Sequence, residues 1–569
     1  MQAQLQRRLG AVDAMFLYME QDNQPMNVGA VFVFEGHFSY RSLLLYLKSR
    51  LHLVPRYRQR VVSAPLNFGH PTWEDDPQFE PRKHVLRHKL DAPGGDEQLK
   101  DLAGRIFTGT LDRDKPLWEL HYVEGLSGKR TAIIFKIHHC MVDGIAGVGL
   151  TQVLFDPVPV PREIKAEPYR PRPMPDAGMR LYDALWDNLS ERVAHWTRLQ
   201  RGLVAFGEGF SPEEVRQAAQ KFAVTIGNFL LPLTKLPFNR TLTEERRIAW
   251  RTFSFAEARA IRAICGGTLN DVALAIVTAA VRRYLVRHPA KKLKSLPQTM
   301  RILVPVNIRE ETERGALGNR ISFLPVEVPL RLDDPVERLH SVHHVMNEMK
   351  EARLAGAVNL MFEALQGLPP MTQAMSLGAI SSPSIQNILS YFTAVPPANL
   401  ICTNVPGPQV PLYLMGHRLE AIYPTLPVCL EMGVDFAITS YDQQLFITVS
   451  GDGQAGGEVE LLSAYLEESF LELRNAAAIK DTTYIKVCLE AEAAQTAPAP
   501  PRQPVNGRKN AKNKKGDKLP PELSPSSKNG RALSPGPAEG SPRPPELSRV
   551  QAPPSPVPQA ELREVTSLP

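Results

Sequence analysis

The sequence predicts a mixed α/β (α+β) protein: two lobes joined by a partly helical linker, with a disordered C-terminal tail. Three observations carry this. β-rich runs and helical periodicity occur together in residues 1–155 and again in residues 242–480. A proline-rich, charged stretch opens the intervening segment, residues 156–241. The composition then changes after about Ala491. A chain of 569 residues exceeds one ordinary core. Its 43% hydrophobic and 22% charged residues are the balance of a globular protein.

In the first lobe, the runs from Val28 to Glu35 and from Arg130 to His138 are rich in β-branched and aromatic residues and predict strands. Ser42 to Leu53 places its leucines on one side and predicts a helix. Residues 156–175 read as a surface linker and residues 179–236 carry helical patterns. Arg301 to Ile308 and Ile321 to Leu330 predict strands. Glu458 to Leu473 predicts an amphipathic helix, with Leu461, Leu462, Tyr465, Leu466 and Phe470 at helical spacing. Residues 491–569 hold too few large apolar side chains to offset their ordering entropy, so this tail is expected to be disordered. Its basic run, Arg508 to Lys518, suits either an anionic surface or simple solvation.

Composition also excludes. A formal charge of +6 is mild and does not describe a nucleic-acid binder. Five scattered cysteines, Cys140, Cys265, Cys402, Cys429 and Cys488, have neither disulfide nor metal spacing, which points to a reducing cytoplasmic setting. The first residues lack the apolar region of a secretory signal, and no apolar run reaches the length of a membrane span, about 18 residues. There is no GxSxG nucleophile elbow and no GxxxxGK[ST] loop. His70 to Asp75 has HxxxxD spacing, but so does His138 to Asp143, so that spacing alone decides nothing.

The motif that carries chemistry is His138-His139-Cys140-Met141-Val142-Asp143-Gly144, which follows the predicted strand ending at His138. Adjacent residues on a strand face opposite ways, so one histidine faces a site and the other packs behind it. An imidazole near its ordinary pKa of about 6.5 can take a proton from an alcohol at neutral pH. Asp143 is placed to hold the turn by pairing with a cation, and Gly144 permits a tight exit. A metal site is not expected, because the two imidazoles diverge and no further His/Cys cluster supports them.

With its neighbours this motif resembles the HHxxxDG signature of the CoA-dependent acyltransferase superfamily. The rest of the chain is similar to the bacterial-type wax ester synthase/diacylglycerol acyltransferase family. Pro116-Leu117-Trp118 resembles its PLW motif, Thr268-Leu269-Asn270-Asp271 its ND motif, and Asn404-Val405-Pro406-Gly407-Pro408 its NVPGP-like segment. Asp13-Ala14-Met15-Phe16 and Pro25-Met26-Asn27-Val28-Gly29 resemble its N-terminal pattern. The likeness covers about residues 8–475 and is loose over 156–236.

The resemblance implies chloramphenicol-acetyltransferase-like lobes with a channel between them. His139 would be the general base, His138 structural, and Asp143 an orienting residue. Asn270 would lie near the active centre, with Asp271 beside it in the motif. Pro116, Leu117 and Trp118 would support the fold near the channel. By likeness to condensation domains, Arg58 would pair with Asp143. The implied reaction esterifies diacylglycerol or a long-chain alcohol with acyl-CoA as co-substrate, without a covalent intermediate and with no permanently bound cofactor. The implied setting is the cytoplasm, at a membrane or lipid-droplet surface. Residues 364–416 carry no charged side chain and read either as buried core or as the mouth of a lipid channel, with Leu412 and Leu414 expected at lipid. Two other readings stand beside this one: a condensation-type enzyme with a carrier-bound acyl donor, and a non-catalytic lipid-binding protein. The absence of a carrier or adenylation domain weighs against the first, and the intact HHxxxDG against the second.

Overall fold

Strands buried along nearly their whole length form the centre of the first lobe in the computed structural model, which describes residues 7–141, 151–207, 233–289, 295–307, 321–351, 367–382, 384–385 and 396–478. In chain order come α1 (Ala11–Met19), β1 (Asn27–Glu35), α2 (Tyr40–Arg50), β2 (Gln59–Val62), β3 (Thr72–Asp75), β4 (Val85–Lys89), α3 (Asp96–Thr108), β5 (Trp118–Leu126) and β6 (Arg130–His138). The long α4 (Ala177–Gly207) leads to the second lobe: β7 (Arg246–Ser254), α5 (Phe255–Cys265), α6 (Leu269–Arg287), β8 (Thr299–Asn307), β9 (Ile321–Pro329), α7 (Pro335–Glu351) and α8 (Pro370–Ser381). The described chain closes with β10 (Leu400–Pro406), β11 (Tyr413–Leu414), β12 (His417–Thr425), β13 (Val434–Tyr441), β14 (Gln444–Asp452) and α9 (Gly456–Ala476).

Among the described residues, one sheet runs β11-β12-β1-β6-β5-β4 and a second runs β7-β14-β13-β10-β8-β9. In the first, β1 lies antiparallel to β6 with Asn27 opposite His138, so the strand end that bears the histidines is fixed by register. Gly29 has no substitute there, because a Cβ would stand 1.8 Å from the Phe135 carbonyl oxygen. Leu43, Leu44 and Leu47 of α2 and Leu99, Leu102 and Ile106 of α3 join the strands in one apolar core. In the second lobe the apolar faces of α6, α7 and α9 bury against the strands.

The two lobes are tied at several levels. The Arg246 backbone N–H on β7 donates to Thr108 Oγ1 (3.0 Å), and its guanidinium donates to the Asn23 carbonyl (2.6 Å). Trp250 of β7 stacks on Tyr423 of β12 at 4.4 Å between ring centroids. A small third core joins Phe16 and Met26 of the first lobe to Leu303, Cys429 and Met432 of the second, so α1 lies at the seam.

Several elements differ from the sequence-based expectation. The helix expected over Ser42–Leu53 begins two residues earlier, where Ser39 Oγ accepts the Ser42 N–H (3.0 Å), and it ends in the 3-10 turn Leu51–Leu53 before Pro55. Strands β11 and β12, within the segment assigned to the second lobe, instead complete the first lobe's sheet beside β1. Alternation marks a strand but does not choose its partner. Leu414 is consequently fully buried in the first core and Leu412 packs against it, which corrects their expected exposure to lipid. The expected disordered tail, and the helical pattern over residues 208–232, lie outside the described residues.

Candidate active site

The strand β6 stops at His138, and His139 opens the 3-10 turn His139–Met141. The two histidines thus lie across a strand-to-turn junction, and strand alternation does not set their directions. Backbone bonds hold the junction: His138 N–H donates to the Leu117 carbonyl (3.0 Å) and His139 N–H to the Met26 carbonyl (2.8 Å). The Pro116-Leu117-Trp118 and Pro25-Met26-Asn27 segments therefore grip the two histidines from either side.

His138 is fully buried. Its Nδ1 accepts the Cys140 backbone N–H at 3.1 Å, so a neutral ring carries its proton on Nε2. That nitrogen lies 3.3 Å from Glu20 Oε1. Glu20 is almost completely enclosed just beyond α1, and its Oε2 receives Arg113 Nη2 at 2.9 Å. Glu20 Oε1 also accepts the Met26 N–H (3.2 Å), and Met26 in turn supplies the carbonyl that holds His139. Burial alone would raise the Glu20 carboxyl, but its contacts with His138 and Arg113 outweigh this and hold it at about 2. Glu20 is a positioning residue for both histidines.

His139 is differently placed. Its ring stacks on Phe16 of α1 with centroids 3.7 Å apart and planes 13° from parallel. Its Nδ1 is buried and has its own backbone as its polar neighbour, whereas the residue keeps some exposed surface. A proton on Nδ1 leaves the Nε2 lone pair free. Burial, against a smaller opposing effect of its own backbone and with help from the His138 charge, lowers the pKa to about 4, so the neutral, proton-accepting form predominates at pH 7. Beside it, burial pushes the Cys140 thiol well above its usual range, which removes a competing nucleophile.

Trp118 is fully buried, stacks on His84 at 4.6 Å and donates from Nε1 to the Tyr57 carbonyl (2.8 Å). In the second lobe Asn270 Oδ1 lies 3.5 Å from Asn404 Nδ2, which brings the ND and NVPGP-like segments together. Gly407 of the latter packs so closely that a Cβ would stand 2.5 Å from the Ser440 carbonyl oxygen. Asp271 is fully buried. It caps α6 by accepting the Thr268 N–H (2.8 Å) and faces His343 Nδ1 at 2.8 Å. Among the described residues no hydrogen bond links the Asn270–Asn404 pair to His139.

Asp143 and Gly144 lie outside the described residues, and so does the expected Asp143–Arg58 pair. The Arg58 guanidinium lies over the Tyr169 ring, 4.8 Å from its centroid. Sequence reasoning missed Glu20 and Arg113, which meet only in the fold. The one available signal was a carboxylate shortly after the Asp13-Ala14-Met15-Phe16 motif.

The fold and the paired histidines define a class: a two-lobed acyltransferase with one partly exposed imidazole of the pair at the seam of its lobes. The wax ester synthase/diacylglycerol acyltransferase catalytic domain matches residues 9–273, and the C-terminal domain of the same family matches residues 317–474. A Mycobacterium tuberculosis (H37Rv) protein with the provisional name diacylglycerol O-acyltransferase is 30% identical over 480 residues, covering 83% of this chain and 97% of that one. A second protein of the same strain, also provisionally so named, is 28% identical over 469 residues. The wax ester synthase/diacylglycerol acyltransferase of Marinobacter aquaeolei VT8 shares the fold, with a TM-score of 0.57, 23% identity, and coverage of 83% of this chain and all of that one. The chain belongs to the wax ester synthase/diacylglycerol acyltransferase family and is an acyltransferase.

Proposed function

We propose that the protein transfers a fatty acyl group from acyl-CoA to the hydroxyl of diacylglycerol or a long-chain alcohol, with His139 as general base. The observation that carries this is the division of labour between the two imidazoles. Both nitrogens of His138 are engaged or aimed at Glu20, while no side chain among the described residues hydrogen-bonds the His139 ring at the seam. Nε2 takes the hydroxyl proton as the alcohol oxygen attacks the thioester carbonyl. The imidazolium then returns the proton to the departing CoA thiolate, so no acyl-enzyme is needed. The Phe16 ring stacked on His139 favours the transient cation. In this reading Asp143 orients the motif with Arg58 as its partner, and Asn270 lies near the reacting groups.

The acceptor and donor are lipids, so the protein works at a membrane or droplet surface. Among the described residues no single helix is long and apolar enough to cross a membrane. The bent pair α5 and α6, 100° apart, passes on composition, but most of α6 is buried in the second core. The test is release of CoA by purified protein given palmitoyl-CoA with diacylglycerol, a long-chain alcohol or no acceptor. Acceptor-dependent release with formation of the matching ester is expected. Release without an acceptor, or none with any acceptor, overturns the reading.

A further inference from the structure

Helix α4, 31 residues long, docks with its polar side inward. Asp183 pairs with Arg7 (3.3 Å) and Asp187 with Arg8 (2.8 Å), Asn188 donates to the Phe68 carbonyl (2.7 Å), and Ala184 is the fully buried contact. The opposite arc carries Met179, Tyr182, Leu185, Trp186 and Leu189, each 50% to 63% exposed. These positions recur every three or four residues, so they form one stripe. An ordinary surface helix turns such a stripe into the core, and here it faces out.

The stripe is not isolated. The 3-10 turn Pro65–Asn67 packs against both α4 and α8 and adds Leu66, 75% exposed. Helix α8 adds Met371 and Met375. Neither the turn nor α8 has a charged residue. Between the turn and α8 opens a cavity of about 510 Å³, lined by Asn67, Ala374 and Met174, the last just before α4, and reaching Leu17 and Tyr18 of α1, the helix whose Phe16 stacks on His139. Arg60, Arg113 and one carboxylate, Asp114, also line it; Arg113 is paired with Glu20, and Arg60 is the guanidinium among the described lining residues left to meet an anion.

We infer that this face is the surface by which the protein docks on an anionic phospholipid bilayer. The inference rests on the lipid-substrate reading above and names where that lipid is met. The aspartates of α4 are paired with Arg7 and Arg8, so from Met179 to Leu189 the exposed stripe presents apolar side chains, one hydroxyl and one indole N–H. Tyrosine and tryptophan rings suit the headgroup level, and the Arg60 guanidinium at the cavity suits lipid phosphate. The docked face places the cavity mouth against the lipid phase.

The test uses the full chain, vesicles of phosphatidylcholine with and without phosphatidylserine, and the triple variant Tyr182→Ser/Trp186→Ser/Leu189→Ser. All three side chains are exposed, so the melting temperature is expected to stay within a few degrees. Vesicle co-sedimentation is expected to fall at least about tenfold. Binding of the unaltered protein is expected to weaken without phosphatidylserine and at high salt. Turnover of a short-chain alcohol with a short-chain acyl-CoA in free solution is expected to be unchanged. Vesicle binding that is equal in the triple variant overturns the proposal. So does a dimer of the unaltered protein that the triple variant converts to a monomer, which would make the stripe a self-association face. Loss of vesicle binding in a protein that esterifies no acceptor would uphold the docking surface and refute the proposed reaction instead.

Discussion

The two lobes spend their buried polar groups differently. In the first, Glu20, Arg113, Met26, Leu117 and Phe16 converge on two histidines, and no side chain among the described residues hydrogen-bonds the His139 ring. In the second, the ND motif is used locally: Asp271 Oδ2 caps α6 and meets His343, its Oδ1 is buried with no hydrogen-bond partner among the described residues, and Asn270 meets Asn404. A network that holds a partly exposed imidazole at the lobe seam is arranged for chemistry, whereas one used to start a helix is arranged for shape. The contrast separates residues that the shared motifs alone present as equals.

The contrast breaks first at His139. His139→Ala is expected to lower kcat by about a thousandfold, the scale of general-base catalysis, with an unaltered melting curve. His138→Ala is expected to act through stability, because it empties a fully buried site and takes one of three partners from the Glu20 carboxylate. Turnover and thermal melting on both variants separate the cases, and near-normal turnover in His139→Ala would remove the mechanism.

Glu20→Ala comes next. It removes the partner of a fully buried histidine and is expected to cost about 3 kcal/mol, at the low end for a broken buried pair because Arg113 is half exposed. Glu20→Gln keeps the shape and is expected to recover much of the fold while still slowing turnover. The Glu20 carboxyl is held below its unfolded value, so its stabilisation is present above about pH 4.5 and is lost as pH falls toward 2. Denaturant titrations across that range should show the slope, and Glu20→Gln should lack it.

The pH profile is a finer probe. The depressed pKa of His139 places the acid limb of kcat/KM near about pH 4, not near 6.5. The unfolded imidazole binds its proton more readily, so His139 makes folding less favourable as pH drops from 6.5 toward 4. An acid limb at 6.5 would show that substrate-free burial does not govern this ring. The smallest effect is expected in the second lobe. Asp271→Asn should cost about 1 kcal/mol, typical of a lost helix cap, and leave kcat within about threefold.

Much of this was legible before any fold was known. The bounds of β6 coincide with the predicted strand, and His138-His139 stood out because paired histidines at a strand end are hard to explain by packing alone. What escaped depends on long-range pairing. Glu20 and Arg113 are 93 residues apart, and no local pattern joins them. The turn at His139 is imposed by the Met26 carbonyl across the sheet. The amphipathic spacing of α4 was visible, but which arc faces inward was decided by Arg7 and Arg8, some 176 to 179 residues earlier. Spacing gives a helix two faces, and only its neighbours say which one is hidden.

The pairing of β1 with β12 bears on how the protein is made. β1 is finished by residue 35, yet the strand that covers its second edge ends at Thr425. During synthesis at about 5–20 residues per second, that edge stands uncovered for roughly 20 seconds or more. An open edge beside apolar strands is a template for pairing with another chain. The first lobe therefore matures after most of the second has emerged from the ribosome, and a fragment ending at residue 273, though it holds both histidines, would be born with a sheet that cannot close.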